Sequence, residues 1–293
     1  ERTNTAVLNS YVLPVAAGYL NNLEAKLSEA GMARVYHAMQ SNGGNTTFDD
    51  ARRLPIKLIE SGPVAGVIGA AVIGESLGER NVISLDIGGT TAKTSLIENS
   101  TPRITTSYKI GHTPFFAGYP ILVPTVDIVE IGAGGGSIAW IDKAGALRVG
   151  PASAGADPGP ACYNWGGTQP TVTDANLVAG RINPAYFLGG EIPLDVGRAR
   201  DALAPLAATF GISVEKMAMG VIQIADAAMV NALKLVSVRR GYDPRDFVLV
   251  AFGGGGAMHA AALMRELRVK KVIIPSNASV FSAWGMLMTD LRR

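Results

Sequence analysis

Apolar residues recur at spacings of three and four along the first thirty residues, which is the period of an amphipathic helix. The spacing predicts one long helix over residues 4–30, whose apolar positions are Leu8, Tyr11, Val12, Val15, Tyr19, Leu20 and Leu23. Pro14 should bend this helix, because proline removes a backbone hydrogen bond, and Gly31 should end it.

The pattern divides the rest of the chain into strands and helices. Apolar runs predict strands over 33–39, 103–110, 126–131, 137–142, 146–149, 247–252 and 271–274, and a strand–turn–strand hairpin over 81–98. Helical spacing predicts helices over 63–78, 173–180, 195–210, 213–240, 257–267 and 279–289. The fold class is therefore α/β, with a β-rich insertion at about 112–170. Small residues along the 63–78 helix predict close packing against another helix or sheet.

A weak internal repeat, in which a strand, a glycine run and a helix occur twice in the same order, suggests two similar lobes. Strand 33–39 leads to Gly43-Gly44 and then to the small-residue helix, and strand 247–252 leads to a glycine run and then to the 279–289 helix. We therefore expect residues 1–79 to be the tail of a first lobe, and residues 80–293 to form a second.

Composition narrows the class of protein. The chain has 293 residues, of which 48% are hydrophobic and 17% charged, with a formal net charge of +2. This balance fits a soluble globular protein and gives no electrostatic case for nucleic acid or an anionic membrane. The apolar stretch Pro63 to Gly74 is too short to span a bilayer. The single cysteine excludes an intrachain disulfide and fits a cytoplasmic location.

The hairpin over 81–98 carries the strongest chemical signal. An apolar run ends at Asp86, and Ile87 leads into a turn, Gly88-Gly89-Thr90-Thr91, that is followed by Lys93. Glycines let backbone N–H groups face outward together, and such a cluster with hydroxyl groups binds phosphate. Asp86 could hold a phosphate-bound Mg²⁺, directly or through water. The alternative is an ordinary glycine-rich hairpin turn.

A second glycine run lies between a predicted buried strand and a helix. It comprises Gly253, Gly254, Gly255 and Gly256, and His259 falls in the first turn of the helix that follows. A tight strand-to-helix turn is the alternative to a ligand loop. His259 could contact a nucleotide or substrate, or could serve only in packing or capping.

The loop from Gly132 to Ser137 follows a strand and precedes another strand, so it does not fit a dinucleotide-binding fingerprint. Together with Asp127 on the preceding strand, its residues Gly134, Gly135 and Ser137 could line a substrate or subunit channel, and a structural role is the alternative. Cys162 has no nearby histidine base, so we expect a buried bystander thiol. The spacing of three histidines and one cysteine does not indicate a zinc site.

The order of these motifs resembles the central segment of the hydantoinase A/5-oxoprolinase family, within the actin-like ATPase superfamily. The matching pieces cover nearly the whole chain: Gln40-Ser41-Asn42-Gly43-Gly44, Ser61-Gly62-Pro63, Asp86-Ile87-Gly88-Gly89-Thr90, Ile131 to Ser137, Gly150 to Tyr163, Thr171 to Asn176, and Phe252 to His259. Enzymes of this family use ATP to activate an amide or carbonyl oxygen. Some open cyclic amides, and others carboxylate ketones.

The resemblance implies that ATP lies with its phosphates toward Gly88 to Lys93 and its adenosine toward Gly253 to Gly256, and that Mg²⁺ is held in part by Asp86. It implies a hydantoinase B-like partner subunit or domain, a small cyclic amide or ketone substrate, and an oligomer when full length. The family's earlier Asp-x-Gly-Gly-Thr motif is missing from this chain, and the chain starts without Met. We therefore expect a fragment that binds nucleotide weakly and is inactive alone.

Many family members continue Gly-Gly-Thr with Ser-Thr-Asp, whereas this chain has Thr91-Ala92-Lys93. Lysine in place of the carboxylate favours a direct phosphate contact. It also weakly favours the carboxylase branch of the family. The main hypothesis is ATP-driven ring-opening hydrolysis of a cyclic amide. The alternatives are the ATPase subunit of a ketone carboxylase, a sugar-kinase-like enzyme, and a non-catalytic nucleotide-binding member of the superfamily.

Overall fold

The computed structural model describes residues 1–32, 35–111 and 116–289. Its helices are α1 (Arg2–Glu29), α2 (Phe48–Arg53), α3 (Ser61–Ser76), α4 (Val172–Val178), α5 (Val196–Phe210), α6 (Val214–Val236), α7 (Gly256–Leu267) and α8 (Phe281–Leu287). Its strands are β1 (His37–Met39), β2 (Asn45–Thr47), β3 (Val82–Ile87), β4 (Ala92–Glu98), β5 (Thr101–Pro102), β6 (Ile104–Thr105), β7 (Lys109–Ile110), β8 (Tyr119–Pro120), β9 (Thr125–Val126), β10 (Ile128–Ile131), β11 (Ser137–Ile141), β12 (Leu147–Ser153), β13 (Val248–Phe252) and β14 (Val272–Ile273).

Contacts between residues divide the chain into two compact units. The first contains Glu1–Val82, Ser95–Ile128 and the chain from Val280 onward, and the second contains Ile83–Thr94 and Val129–Ser279. The predicted lobes, residues 1–79 and 80–293, stay a prediction.

In the first unit, α1 confirms the predicted long helix and contains Pro14. Its Leu20 side chain is buried in a small cluster with Phe48 and Ala51 of α2. Of the other apolar positions of the predicted face, three are half-buried and three are exposed, and Tyr11 is 81% exposed. The spacing thus predicted the helix correctly, although the structure fully buries only Leu20 among the listed positions of that face.

The small residues of α3 allow a close helix contact within the first unit, as the sequence predicted. A Cβ atom added to Gly69 would lie 3.2 Å from the Cα atom of Gly285 in α8. A Cβ atom added to Gly285 would in turn contact the backbone oxygen of Ala65 and lie 3.1 Å from the Gly69 nitrogen. The helices therefore meet backbone to backbone, which only glycine permits at these positions.

The sheet has the strand order β10-β4-β3-β13-β14, and β5 pairs with β4. Its β13–β14 pair is parallel and its β4–β5 pair is antiparallel, so the sheet is mixed, as expected for the predicted α/β class. All five residues of β13 are buried, as are all residues of β3 except Asp86. In the second unit, α6 packs against α4, α5 and α7.

One helix among the described residues, Val214–Arg240, is long and apolar enough to cross a membrane by length and composition. Half of the most apolar segment of this helix is buried inside the protein. Residues such as Val221, Ile222, Met229 and Leu233 form its buried face. Burial of this kind is what a core helix shows, so the apolar composition of α6 is explained by packing.

Three predicted strands differ from the structure. The prediction of one strand over 126–131 is wrong, because the segment is interrupted at Asp127 and forms β9 and β10, which pair with different strands, β6 and β4. The prediction of one strand over 103–110 is wrong, because the segment forms β6 and β7, which pair with different strands, β9 and β8. The Ser107 N–H donates to the Thr105 hydroxyl between them, and such local bonds compete with a continuous ladder. The strand predicted at 33–39 is confirmed only as β1, and residues 33–34 lie outside the described part of the chain.

The predicted β-rich insertion is confirmed for residues 116–170. This segment contains β8 to β12 and one short 3-10 turn, Ala161–Tyr163. The first residues of the predicted insertion, 112–115, fall outside the described ranges.

Candidate functional site

Residues 88–91 form the tight turn that joins β3 to β4, and we call it the 88–91 turn. The Gly88 N–H donates to the Thr91 carbonyl at 3.0 Å, which closes the turn. Gly88, Gly89 and Thr90 are exposed. The N–H groups of Gly89 and Thr90 have no hydrogen-bond partner among the described residues. The turn therefore offers free N–H donors to solvent beside the Asp86 carboxylate.

The glycine run after β13, the 253–256 loop, lies against this turn. Gly253 has a left-handed backbone with φ +78°, and a Cβ atom added there would contact an Asp86 carboxylate oxygen and lie 2.5 Å from the Ile87 carbonyl oxygen. The Gly255 N–H donates to the same carbonyl at 2.9 Å. The carboxyl ends of β3 and β13 thus meet at one edge of the sheet, which is where open α/β sheets bind ligands.

A third loop, the 132–137 loop, supports the turn from behind. The Gly135 N–H donates to the Gly88 carbonyl at 3.0 Å, and the Gly136 N–H donates to the Gly89 carbonyl. A Cβ atom added to Gly134 would lie 2.6 Å from the Thr90 carbonyl carbon. Two carbonyl oxygens of the turn are therefore engaged by this loop.

The 132–137 loop is itself fixed by buried side chains. The Thr173 hydroxyl donates to the Gly135 carbonyl at 2.9 Å. The buried Ser137 hydroxyl accepts the Gly134 N–H and donates to the Gly132 carbonyl. These contacts favour the structural alternative for Gly134, Gly135 and Ser137 over a channel lining.

Asp127 belongs to the first unit, where its carboxylate lies 3.6 Å from the Arg103 guanidinium. The role of Asp127 in a channel stays a prediction.

Opposing effects act on the Asp86 carboxyl group. Burial raises its pKa, because the charged form loses solvation, and the nearby positive charge of Lys93 lowers it. A cation bound at Asp86 would favour the charged form further. Because carboxylate oxygen is a preferred ligand of Mg²⁺, Asp86 fits the predicted metal contact.

Within the described residues, no group of three histidine, cysteine, aspartate or glutamate side chains could hold a metal ion. A cation at Asp86 would thus need most of its ligands from phosphate oxygens or water, as Mg²⁺ bound to nucleotide phosphates commonly does. The free N–H groups of Gly89 and Thr90 suit the phosphate oxygens themselves.

Lys93 does not point freely into solvent. Its ammonium group lies 2.6 Å from a Glu130 carboxylate oxygen and 3.1 Å from the Thr91 hydroxyl. Sequence reasoning missed Glu130, because only the pairing of β10 with β4 brings it next to Lys93.

His259 is 1% exposed, and its Nδ1 lies 2.6 Å from an Asp226 carboxylate oxygen. The pair joins α7 to α6, immediately after the 253–256 loop. This geometry favours the packing alternative over a direct nucleotide contact. Asp226 gave no signal in the sequence, because it lies in the middle of a long amphipathic helix.

Cys162 is fully buried, and burial together with the nearby Asp174 charge raises the pKa of its thiol. Asp174 is also buried, and it accepts hydrogen bonds from the backbone N–H groups of Ala161, Cys162 and Thr171. With Thr171 it forms a capping box at the start of α4. This environment suits a structural thiol. His112 lies outside the described residues.

The family model for hydantoinase/oxoprolinase matches residues 2–293. The chain is 40% identical to caprolactamase subunit alpha of Pseudomonas jessenii over 99% of its own length and 41% of that subunit. It is 34% identical to 5-oxoprolinase 1 of Arabidopsis thaliana, covering 98% of this chain and 23% of that one. It therefore spans about two fifths or less of the length of these relatives.

Two solved structures are also similar to this chain over its whole length. A nucleotide-free structure of acetone carboxylase, described as an enzyme of ATP-dependent acetone carboxylation, superposes with a TM-score of 0.88 at 33% identity, covering 99% of this chain and 40% of that one. The ATP-dependent caprolactamase from Pseudomonas jessenii gives 0.83 at 38% identity, covering 100% and 42%. The α/β fold is thus shared with an acetone carboxylase and a caprolactamase. The chain belongs to the hydantoinase/oxoprolinase family.

Proposed function

We propose that this chain is the central domain of an ATP-dependent enzyme that phosphorylates a cyclic amide or carbonyl oxygen to drive ring-opening hydrolysis. The contact between Asp86 and Gly253 is the observation that carries the proposal. It brings the 88–91 turn and the 253–256 loop to one sheet edge, in a family whose members include a caprolactamase and 5-oxoprolinases.

The residues of the chain would act mainly by positioning and charge neutralisation, as in other phosphoryl transfers. The N–H groups of Gly89 and Thr90 would bind phosphate oxygens, and Asp86 would hold Mg²⁺. The 253–256 loop would leave room for adenosine, because Gly254 is exposed and a Cβ atom there meets nothing within 4 Å. Bound ATP would supply the phosphoryl group that activates the substrate oxygen.

The whole enzyme would be larger than this chain. We propose that residues 1–79 complete a first actin-like lobe, that residues 80–293 form the second, and that ATP lies between them in the cytoplasm. A hydantoinase B-like subunit or domain would then receive the activated substrate, in an oligomeric complex. Because the chain spans 41% of the caprolactamase subunit, residues 1–293 alone should turn over nothing.

A second candidate is the ATPase subunit of a ketone carboxylase. The acetone carboxylase structure superposes on this chain with a TM-score of 0.88, and Lys93 in place of a carboxylate leans the same way. In this case the activated oxygen would be that of a ketone, and bicarbonate would be the second substrate.

The test uses the full-length polypeptide that carries residues 1–293, with its partner subunit if it has one. Caprolactam, 5-oxoproline and hydantoin are each incubated with ATP and Mg²⁺, and ring-opened acid and ADP are measured. We expect both products in equal amounts and neither without ATP. ATP-dependent carboxylation of acetone or acetophenone, without ring opening, would replace the main proposal by the second candidate.

Binding of ATP by isothermal titration calorimetry separates these enzymes from a plain structural module. Asp86→Ala should weaken binding, because it removes the predicted Mg²⁺ contact. Asp201→Ala, an exposed aspartate on α5, is the matched control and should bind as the wild type does. Absence of binding at millimolar ATP would contradict the nucleotide site, and ATP-dependent hydantoin hydrolysis by residues 1–293 alone would contradict the expected need for further chain.

A further inference from the structure

The Lys93 ammonium group lies at the margin of the 88–91 turn, but its contacts are not limited to the turn. It lies 3.1 Å from the Thr91 hydroxyl and 2.6 Å from the Glu130 carboxylate. The side chain of Lys93 is 20% exposed and that of Glu130 is 42% exposed. The ion pair is therefore built at the surface, where water and dissolved anions can reach it.

The same ammonium also acts on Asp86, where its positive charge opposes the effect of burial. Lys93 thus acts on two carboxylates, one on β3 and one on β10, and contacts the Thr91 hydroxyl of the turn that carries the free N–H groups. A phosphate group held by Gly89 and Thr90 would bring a stronger negative charge to the same ammonium. Lysine is a flexible point charge, so it can exchange one anionic partner for another.

We propose that Glu130 forms an ion pair with Lys93 in the ligand-free protein, and that Lys93 exchanges Glu130 for a nucleotide phosphate when the ligand binds. Glu130 therefore sets how tightly the 88–91 turn binds its ligand. The inference rests on the proposed nucleotide site and goes beyond it. Glu130 is a positioning residue, which acts on the ligand through Lys93.

The competing explanation is an ordinary ion pair between neighbouring strands. Such a pair would stabilise the sheet slightly, and its loss would leave ligand affinity unchanged. In the proposed role the opposite holds, because removing the Glu130 charge frees Lys93 for phosphate. Exposed ion pairs are worth little free energy, so we expect a gain in affinity of about two- to fivefold.

The test is a double-mutant cycle of nucleotide binding in the full-length protein. ADP and a non-hydrolysable ATP analogue, each with Mg²⁺, are titrated calorimetrically into wild type, Glu130→Gln, Lys93→Met and the double variant. Glu130→Gln should tighten binding about two- to fivefold, and Lys93→Met should weaken it. In the Lys93→Met background, Glu130→Gln should have no effect, because the residue through which it acts is missing.

The matched control is Glu215→Gln, which removes the same charge from another exposed ion pair of the second unit, with Arg200. It should leave affinity unchanged. The gain from Glu130→Gln should also shrink as salt is raised, because the interaction of exposed charges is screened. Glu130→Asp, which shortens the side chain, serves as a second variant and should give a smaller gain.

Equal affinity of wild type and Glu130→Gln would overturn the inference, as would a gain that persists without Lys93. Both outcomes leave the nucleotide site intact. Absence of nucleotide binding by the wild-type protein would instead overturn the proposed site, and this inference with it.

Discussion

Replacing Gly253 by alanine would place a Cβ atom where the 253–256 loop meets the end of β3. That atom would contact the Asp86 carboxylate and lie 2.5 Å from the Ile87 carbonyl oxygen. The second contact is with backbone, which cannot move aside as a flexible side chain can. Relief would require the loop and the end of β3 to separate.

The cost has two parts. Gly253 has φ +78°, and a residue with a Cβ atom in left-handed backbone is disfavoured by about 1–2 kcal/mol. Overpacking of a filled space costs about 1–3 kcal/mol more. Alanine also restricts the unfolded chain, which offsets about 0.4–1 kcal/mol of this. We therefore expect Gly253→Ala to lower the free energy of unfolding by about 1–5 kcal/mol.

The measurement is urea unfolding followed by circular dichroism, combined with calorimetric titration of ATP. Gly253→Ala should lower the unfolding midpoint and weaken ATP binding, because Asp86 must shift. Gly254→Ala is the matched control: its Cβ atom meets nothing within 4 Å, so stability should change by no more than about 0.5 kcal/mol. If the two variants unfold at the same midpoint, the close approach of Gly253 to Asp86 does not constrain the site.

Other perturbations test other parts of the structure. Gly285→Ala should destabilise the protein by about 1–3 kcal/mol in thermal unfolding, because its Cβ atom would meet the backbone of α3. In Gly18→Ala the new Cβ atom meets nothing within 4 Å, so this change in α1 should stabilise the protein by about 0.5–1 kcal/mol. A stability change of the same sign in both variants would contradict the packing of α3 against α8. Cys162 should resist a thiol reagent until the protein unfolds, because the side chain is buried and its pKa is raised; rapid labelling of the native protein would contradict this. The pKa of Glu215 falls from 4.5 to about 2 through its bond with Arg200, so the stabilisation it gives is present above pH 4.5 and is lost as the pH falls toward 2. The difference in melting temperature between wild type and Glu215→Gln should therefore disappear over that range, and a difference unchanged at pH 2 would argue against the ion pair.

Local patterns sufficed for much of the fold. The helix α1 and the hairpin of β3 and β4 were predicted from spacing and turn chemistry alone, because both depend on residues close in sequence. The strand predicted over 103–110 failed at Ser107, where a side chain bonds locally and the two halves find different partner strands. Pairing between distant segments decided that outcome, and periodicity does not report it.

The candidate site shows the same difference between features set by local sequence and features set by contacts between distant segments. Asp86 and the glycines of the 88–91 turn were visible as a motif. The contact between Asp86 and Gly253, and the partners Glu130 and Asp226, were not. They join residues far apart in the chain, and they depend on strand order and helix packing. A histidine in the first turn of a helix looks the same in sequence whether it faces a ligand or, like His259, a buried carboxylate.

The support of the 88–91 turn by the 132–137 loop also sets an order of events during synthesis. Gly135 and Gly136 bond to the turn, and Thr173 fixes Gly135 in its place. Contacts between segments distant in sequence form late, because a long intervening chain must first be ordered. A nascent chain that ends before Thr173 therefore carries the turn and the loop that bonds to it, but it lacks the Thr173 hydroxyl that fixes Gly135.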